Sequence, residues 1–256
     1  MKILVFGEFG IDEFVYGDCT RLNPEAPTPV FKPKHVETNP GMAGNVVVNL
    51  QSLGIQTTFI HQNDSVKKTR YVDEKSNYIL IRVDREETIT PLKFIDIANI
   101  EISEYDAVII SDYNKGFLNE EMIEYILVNS NLSFIDTKKP FGSWITNASF
   151  IKINESESLN PAHNKTVLEK IKQKLIVTKG SEGCYLGETH YPTNKVEVRD
   201  VVGAGDTFIS ALAASFVKTY RINDSINFAN KCATYVIQKR GVSDISEMTE
   251  EFNKLG

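Results

Sequence analysis

Short, mainly apolar segments alternate with segments of helical periodicity along most of the 256-residue chain. The apolar segments are residues 3–6, 57–60, 107–110, 133–135, 150–153 and 175–177, and the clearest helical segments are 43–53 and 119–129. Strands without in–out alternation are typical of a parallel sheet that helices cover on both faces. The sequence therefore predicts one α/β domain over residues 1–256, with a doubly wound, mainly parallel central sheet flanked by helices.

Two segments, at about 13–37 and 67–86, alternate between apolar and polar residues instead. A proline-rich turn at 24–29 and a polar turn at 74–77 divide each of them into a hairpin. Together the hairpins predict a small antiparallel sheet. That sheet would be either a lid over the carboxyl ends of the parallel strands, where such folds bind ligands, or two excursions from the edge of the main sheet. A lid with one apolar face needs a partner, so we also expect a homodimer joined through the lid.

The segment at 199–208 combines two glycines with the start of a long apolar helix. Gly203 and Gly205 allow the backbone to approach a ligand closely, and the helix start directs unpaired N–H groups at the turn. This arrangement is typical of a phosphate site, although the same pattern also begins ordinary helices. Asp206 would repel a bound phosphate, so it fits better as a base that takes a proton from an attacking hydroxyl.

Composition narrows the class of protein. The net charge of −6 disfavours a broad nucleic-acid surface, and no segment approaches the length of a membrane span or forms a signal peptide. The four histidines lack the spacing of metal ligands. The three cysteines are odd in number and far apart, which favours reduced core thiols in a cytoplasmic protein.

The Asp-Val-Val-Gly-Ala-Gly-Asp-Thr-Phe segment resembles the signature of the ribokinase-like (PfkB) sugar kinases. Other segments resemble one branch, which phosphorylates D-glycero-D-manno-heptose 7-phosphate at its anomeric carbon for ADP-heptose synthesis. They are residues 7–18, 23–30, 40–54, 66–86, 111–118, 136–138, 154–157 and 177–183. The Pro-Glu-Ala-Pro-x-Pro-Val and Ser-Asp-Tyr-x-Lys-Gly elements point to the heptose branch in particular.

The resemblance implies roles for individual residues, with ATP and Mg²⁺ as cofactors. Asp206 is the implied general base, and the anion hole is implied at Gly203, Ala204 and Gly205. The implied sugar-binding residues are Asp12, Gly41 and Asn45, with Lys115 and Arg82 as candidates for a phosphate on the acceptor. The implied nucleotide and phosphate residues are Lys138, Asn154, Glu157, Thr178, Lys179, Gly180, Gly183 and Asn230, and Glu157 is the implied metal residue, directly or through water.

The chain departs from the family pattern at three places. Met42 stands where paired glycines are usual, and could occlude or reshape the sugar pocket. The four residues 62–65 replace a helix-sized segment, which could expose a sheet edge. Val202 replaces a frequent threonine. We also expect no fused nucleotidyltransferase domain, because the resemblance ends at the kinase boundary.

These observations favour a cytoplasmic, ATP- and Mg²⁺-dependent sugar kinase, and the resemblance implies that its acceptor is D-glycero-D-manno-heptose 7-phosphate, phosphorylated at the anomeric hydroxyl. Two alternatives stay open at this point. The acceptor could be another sugar or a nucleoside, such as fructose, fructose 6-phosphate or a ribose-like compound. The chain could also be a catalytically silent homologue that binds a sugar or nucleotide.

Overall fold

A computed structural model describes residues 1–64, 66–86, 88–239 and 241–256. Its strands are β1 (Lys2–Gly7), β2 (Phe9–Leu22), β3 (Pro29–Met42), β4 (Gln56–Ile60), β5 (Val66–Asp73), β6 (Ile79–Glu86), β7 (Ala107–Asp112), β8 (Ser133–Thr137), β9 (Phe150–Asn154), β10 (Leu175–Thr178), β11 (Cys184–Leu186) and β12 (Thr189–Tyr191). The helices are α1 (Ala43–Ser52), α2 (Phe94–Ile97), α3 (Glu120–Asn129), α4 (Glu155–Ser158), α5 (Lys165–Ile171), α6 (Ala204–Thr219), α7 (Ile222–Val236) and α8 (Thr249–Lys254).

The large sheet has the strand order β12-β11-β10-β9-β8-β7-β1-β4. The pairs from β10 through to β4 are parallel, and β11 and β12 add an antiparallel margin. Alternate residues of β1 enter different cores: Ile3 and Val5 pack with α1, α6 and α7, whereas Leu4 and Phe6 pack with α3. The predicted parallel sheet with helices on both faces is therefore confirmed.

Local signals place the helices where the sequence predicts them. The Asn119 side chain caps α3 by accepting a hydrogen bond from the Met122 N–H at 2.8 Å. Gly54, with φ of 77°, follows the last turn of α1 and stops that helix. The helices α1 and α6 pack together in the same core, which brings their amino ends to the carboxyl edge of the large sheet.

The small sheet has the strand order β3-β2-β5-β6. Both predicted hairpins are present, and their strands extend the first segment to 9–42. The two hairpins pair antiparallel internally, whereas β2 and β5 join them as a parallel pair. We call this sheet the lid. The β2–β3 hairpin of the lid begins directly after β1 and leads into α1. The lid therefore lies next to the carboxyl end of β1.

The connection from β4 to the lid is short, as the sequence indicates, although its Ser65 lies outside the described residues. β4 forms the edge of the large sheet, where it pairs with β1. Cys184 and Cys232 are buried free thiols as expected, but Cys19 lies half-buried in the lid because β2 leaves the core there. In the part of the chain that the structure describes, no helix has the length and apolar character needed to cross a bilayer.

Candidate active site

The amino end of α6 lies between two cavities. Gly203 caps the helix in the left-handed conformation, with φ of 80°. Gly203 and Asp206 line a cavity of about 150 Å³, whereas Ala204 and Gly205 line one of about 460 Å³. The backbone N–H groups of Gly205 and Asp206 have no acceptor among the described residues, so they are available to an anion.

Glycine is required at both ends of the Gly-Ala-Gly turn because polar side chains approach the backbone closely. A Cβ atom on Gly203 would lie 2.5 Å from Asn45 Nδ2. A Cβ atom on Gly205 would lie 2.8 Å from Lys152 Nζ. The two glycines therefore let an amide and an ammonium group reach the start of α6.

The Asp206 carboxylate is buried and held by two donors. The Tyr113 hydroxyl donates to Oδ1 at 2.8 Å, and Asn45 Nδ2 donates to Oδ2 at 3.2 Å. The Asn49 side chain in turn donates to Asn45 Oδ1 at 3.1 Å, which fixes the orientation of that amide. The carboxylate is thereby oriented by α1 and by the loop after β7.

Burial gives Asp206 the acid–base properties of a general base. It raises the pKa of Asp206 from 3.8 to about 6, although the hydrogen bonds from Tyr113 and Asn45 favour the ionised form. Burial and the charge of Asp206 also raise the pKa of Tyr113 well above 10, so its hydroxyl stays a donor. A carboxylate with a pKa just below neutrality is ionised at pH 7 and can still accept a proton.

A buried ammonium group lies beside the anion hole. Lys152 extends from β9, and its Nζ lies 2.6 Å from Asp136 Oδ2. Burial lowers the pKa of Lys152, but the carboxylates of Asp136 and Asp206 more than offset this, so its pKa is raised. Lys152 is therefore a fixed positive charge next to Gly205, where a transferred phosphate would carry negative charge.

Carboxylate oxygens suited to Mg²⁺ lie near Lys152, on Asp136 and Glu157. Asp136 Oδ1 is buried and has no hydrogen-bond partner among the described residues, and Lys138 Nζ lies 4.0 Å from it. Lys138 also pairs with Glu157, whose other oxygen accepts from the Asn154 N–H at 2.9 Å. An orphaned carboxylate oxygen near a second carboxylate fits Mg²⁺, which prefers oxygen ligands.

The described residues contain no group of three acidic, histidine or cysteine side chains arranged to hold a metal. A Mg²⁺ ion at Asp136 and Glu157 would therefore share its coordination sphere with phosphate oxygens and water, as Mg²⁺ commonly does.

The smaller cavity is built around Asp12. Its carboxylate is buried on β2 and accepts a hydrogen bond of 2.6 Å from Arg70 Nη1 on β5. A Cβ atom on Gly41 would lie 2.4 Å from Asp12 Oδ2, so glycine is required there for the carboxylate to take this position. Asn45, Lys68, Tyr113 and Asp206 also line this cavity, which is consequently polar and carries both signs of charge.

Met42 lines the same cavity in a strained conformation. Its φ of 57° and ψ of −135° lie in a region that residues other than glycine rarely adopt. The side chain is buried, and its sulfur packs so closely over Gly10 that a Cβ atom there would lie 2.9 Å away. The departure from paired glycines thus narrows the cavity.

Glu8 holds the loop that carries Tyr113 and Lys115. Its buried carboxylate accepts from the Tyr113 N–H at 2.8 Å and from the Lys115 N–H at 2.9 Å. Burial, and then the charge of Asp112, raise the pKa of Glu8. These two hydrogen bonds fix the backbone of the loop after β7, which carries both Tyr113 and Lys115.

The larger cavity is lined by four of the eight predicted nucleotide and phosphate residues. Those that line it are Thr178, Gly180, Gly183 and Asn230. The Asn230 amide donates to the Tyr191 carbonyl at 3.1 Å, which joins α7 to β12. Lys179 does not line the cavity; its ammonium pairs with Glu155 at 3.1 Å.

The structure thus brings Asp12, Asn45, Gly203 and Asp206 together around one cavity. It leaves Arg82 at the lid edge, where two hydrogen bonds of 2.7 Å join it to Asp84. Sequence analysis did not single out five polar residues of the site: Lys68, Arg70, Tyr113, Asp136 and Lys152. A lysine within the otherwise apolar 150–153 strand was a usable signal for the last of these.

Comparison with known proteins agrees with this architecture. The model of the pfkB family carbohydrate kinases matches residues 62–249. The ribokinase of Thermotoga maritima superposes with a TM-score of 0.73 at 19% sequence identity, over 98% of this chain and 99% of that one. Phosphofructokinase-2 of Escherichia coli superposes with a TM-score of 0.71 at 12% identity, over 99% and 97%.

Curated relatives are more similar in sequence. The bifunctional protein HldE of a Nitratiruptor species is 33% identical over 303 residues, covering 99% of this chain and 65% of the relative. The bifunctional protein HldE of one Helicobacter pylori strain is 32% identical over 294 residues, covering 94% and 63%. This chain therefore spans less than two thirds of the length of these relatives.

This doubly wound α/β fold is that of the ribokinase structures, and its buried Asp206 carboxylate lies at a helix start between the two cavities. The chain belongs to the pfkB family of carbohydrate kinases.

The pKa of Asp206 predicts a specific pH dependence. Because the base must be ionised, kcat/KM should fall about tenfold per pH unit below about pH 6. Tyr113→Phe removes a donor that favours the carboxylate, so this acidic limb should move to higher pH. Tyr105→Phe, which loses a hydroxyl bonded to Thr58 instead, is the matched control. A limb unchanged in Tyr113→Phe would contradict the assignment.

Proposed function

We propose that this chain phosphorylates D-glycero-D-manno-heptose 7-phosphate at its anomeric hydroxyl, using ATP and Mg²⁺. The observation that carries the proposal is the buried Asp206 carboxylate, oriented by Tyr113 and Asn45 at the boundary between the two cavities. The heptose-branch elements at 23–30 and 111–118 support the choice of acceptor. So does the moderate identity to the bifunctional HldE proteins.

The chemical step needs little covalent participation from the protein. The anomeric oxygen would form a bond to the γ-phosphorus as the bond between that phosphorus and ADP breaks, and its proton would move to Asp206. Tyr113 and Asn45 leave the carboxylate only small freedom to rotate, so its basic lone pair stays directed at the cavity. Such positioning supplies much of the acceleration in phosphoryl transfer.

Negative charge on the transferred phosphate would be stabilised from three sides. The N–H groups of Gly205 and Asp206 would donate to it, and Lys152 would contribute a full positive charge. Mg²⁺ held near Asp136 and Glu157 would neutralise further charge on the phosphate oxygens.

The remaining predicted residues are proposed to bind either the sugar or the nucleotide. Asp12, held by Arg70, would accept hydrogen bonds from sugar hydroxyls, with Gly41 and Asn45 shaping the same cavity. Lys115 and Arg82 are proposed to act on the acceptor. The nucleotide side is proposed to comprise Lys138, Asn154, Glu157, Thr178, Lys179, Gly180, Gly183 and Asn230.

Replacing the base tests the mechanism. Asp206→Asn keeps the shape of the side chain but cannot accept the proton, so turnover should fall about 10²–10⁴-fold while ATP still binds. Steady-state kinetics and ATP titration measure the two effects. Asp224→Asn on the exposed face of α7 is the control, and it should keep full activity. Near-wild-type turnover of Asp206→Asn would remove Asp206 from the role of base.

An acceptor panel tests the substrate. ADP release should be fastest with heptose 7-phosphate, compared at equal concentration with the unphosphorylated heptose, fructose, fructose 6-phosphate and ribose. A preference for a free hexose or a nucleoside would overturn the heptose assignment and leave the sugar-kinase proposal in place. ATP binding without turnover on any acceptor would favour the catalytically silent alternative.

We further propose a homodimer joined through the lid. The face of the lid opposite Arg70 carries apolar side chains that water reaches: Val36 and Ile81, in one row across the sheet, are 54% and 57% exposed. Contiguous exposed apolar residues on a sheet are typical of a contact surface, and a second copy presents the same surface. The scattered free thiols support a cytoplasmic location.

A charge on this face should dissociate the dimer. Ile81→Lys places an ammonium group in the proposed contact, and we expect the mass in solution to fall from dimer to monomer by sedimentation velocity. Ile95→Lys, at a residue on α2 that is 76% exposed and lies outside the lid, is the matched control. A monomeric wild-type protein at micromolar concentration would exclude the dimer.

A further inference from the structure

Two cationic side chains of the lid, those of Lys68 and Arg70, line the smaller cavity. Lys68 on β5 lines the cavity, and its Nζ lies 5.5 Å from the centroid of the Tyr113 ring. Burial lowers the pKa of Lys68 most; Asp12 opposes this, and the charges of Arg82 and Lys115 lower it further. Arg82 on β6 and Lys115 on the loop after β7 thus lie close enough to Lys68 to repel its charge, an arrangement that a bound anion would stabilise.

Lys68 differs from the other lid cations in its pairing. Arg70 is bound to Asp12 and lies over the Phe14 ring, with 5.0 Å between its Cζ and the ring centroid. Arg82 is bound to Asp84. Within the described ranges, Lys68 makes no salt bridge to a carboxylate, although it is half-buried. The carboxylates beside it in the sheet, those of Asp12 and Asp84, are bound to Arg70 and Arg82 instead. A phosphate on the ligand would therefore be the first counterion to pair directly with this partly desolvated ammonium group.

We infer that Lys68 is a specificity-determining residue that binds the phosphate carried by the acceptor sugar. This inference rests on the proposed function. The Tyr113 side chain spans the cavity wall, since its hydroxyl donates to Asp206 and its ring faces Lys68. The side chain of Tyr113 therefore lies between Lys68 and Asp206. This separation suits a sugar that carries its reacting hydroxyl at one end and its phosphate at the other.

The register of the lid strengthens the assignment and supplies a control. In the parallel pair of β2 and β5, Lys68 lies beside Asp12, so the proposed phosphate and hydroxyl contacts are neighbours. The preceding residue, Lys67, points to the opposite face, where it pairs with Glu13 at 2.5 Å. Two adjacent lysines of one strand therefore differ in access to the cavity, and the one outside the cavity is paired with a carboxylate.

The test compares Lys68→Met with Lys67→Met on two acceptors, heptose 7-phosphate and the same heptose without phosphate. Lys68→Met should lower kcat/KM for the phosphorylated sugar about 10- to 100-fold, mainly through KM, because it removes a hydrogen bond to a charged group. It should change kcat/KM for the free sugar far less, and Lys68→Arg should retain the preference. Lys67→Met should leave both values within about fivefold of wild type.

Each outcome decides a different question. If the wild type prefers heptose 7-phosphate but Lys68→Met loses equally on both acceptors, the inference is overturned and the proposed function stands. If the wild type shows no preference for a phosphorylated acceptor, the proposed function and the inference both fail. Thermal unfolding monitors folding throughout, and Lys68→Gln replaces Lys68→Met if that variant is unfolded.

Discussion

The burial of the Asp206 carboxylate is the constraint on which the rest of the site depends. A carboxylate loses hydration when it is buried, so its oxygens need donors, and here these come from Tyr113 and Asn45. Leaving one oxygen unpaired would cost about 1–3 kcal/mol. The helices α1 and α6 and the loop after β7 are therefore fixed to one another, and the two cavities take their positions from this junction.

Much of the fold could be predicted from the sequence because its signals are local. The apolar strands, the Asn119 cap and the hairpin turns each depend on a few neighbouring residues. The parallel pairing of β2 with β5 is different, since it joins residues more than fifty positions apart, and a slip of one residue would turn Arg70 away from Asp12. Tyr113 became recognisable only once tertiary structure placed its hydroxyl beside Asp206.

Met42 shows how packing can offset backbone strain. A residue other than glycine in this conformation costs about 1–3 kcal/mol. Burying a methionine side chain contributes about 1.5–3 kcal/mol, so the two effects nearly cancel. A methionine in place of the family's glycine therefore changes the shape of the cavity but has little net effect on the stability of the fold.

The lid and the large sheet contribute different groups to the site. Asp206, Gly205 and Lys152 lie on α6 and β9, whereas Asp12, Lys68 and Arg70 lie on the lid strands. Under the proposed function, a substitution on β5 can change which sugar is accepted without moving a group that transfers the phosphate. Substrate range can then diverge between descendants of one ancestral enzyme while its reaction chemistry is inherited unchanged.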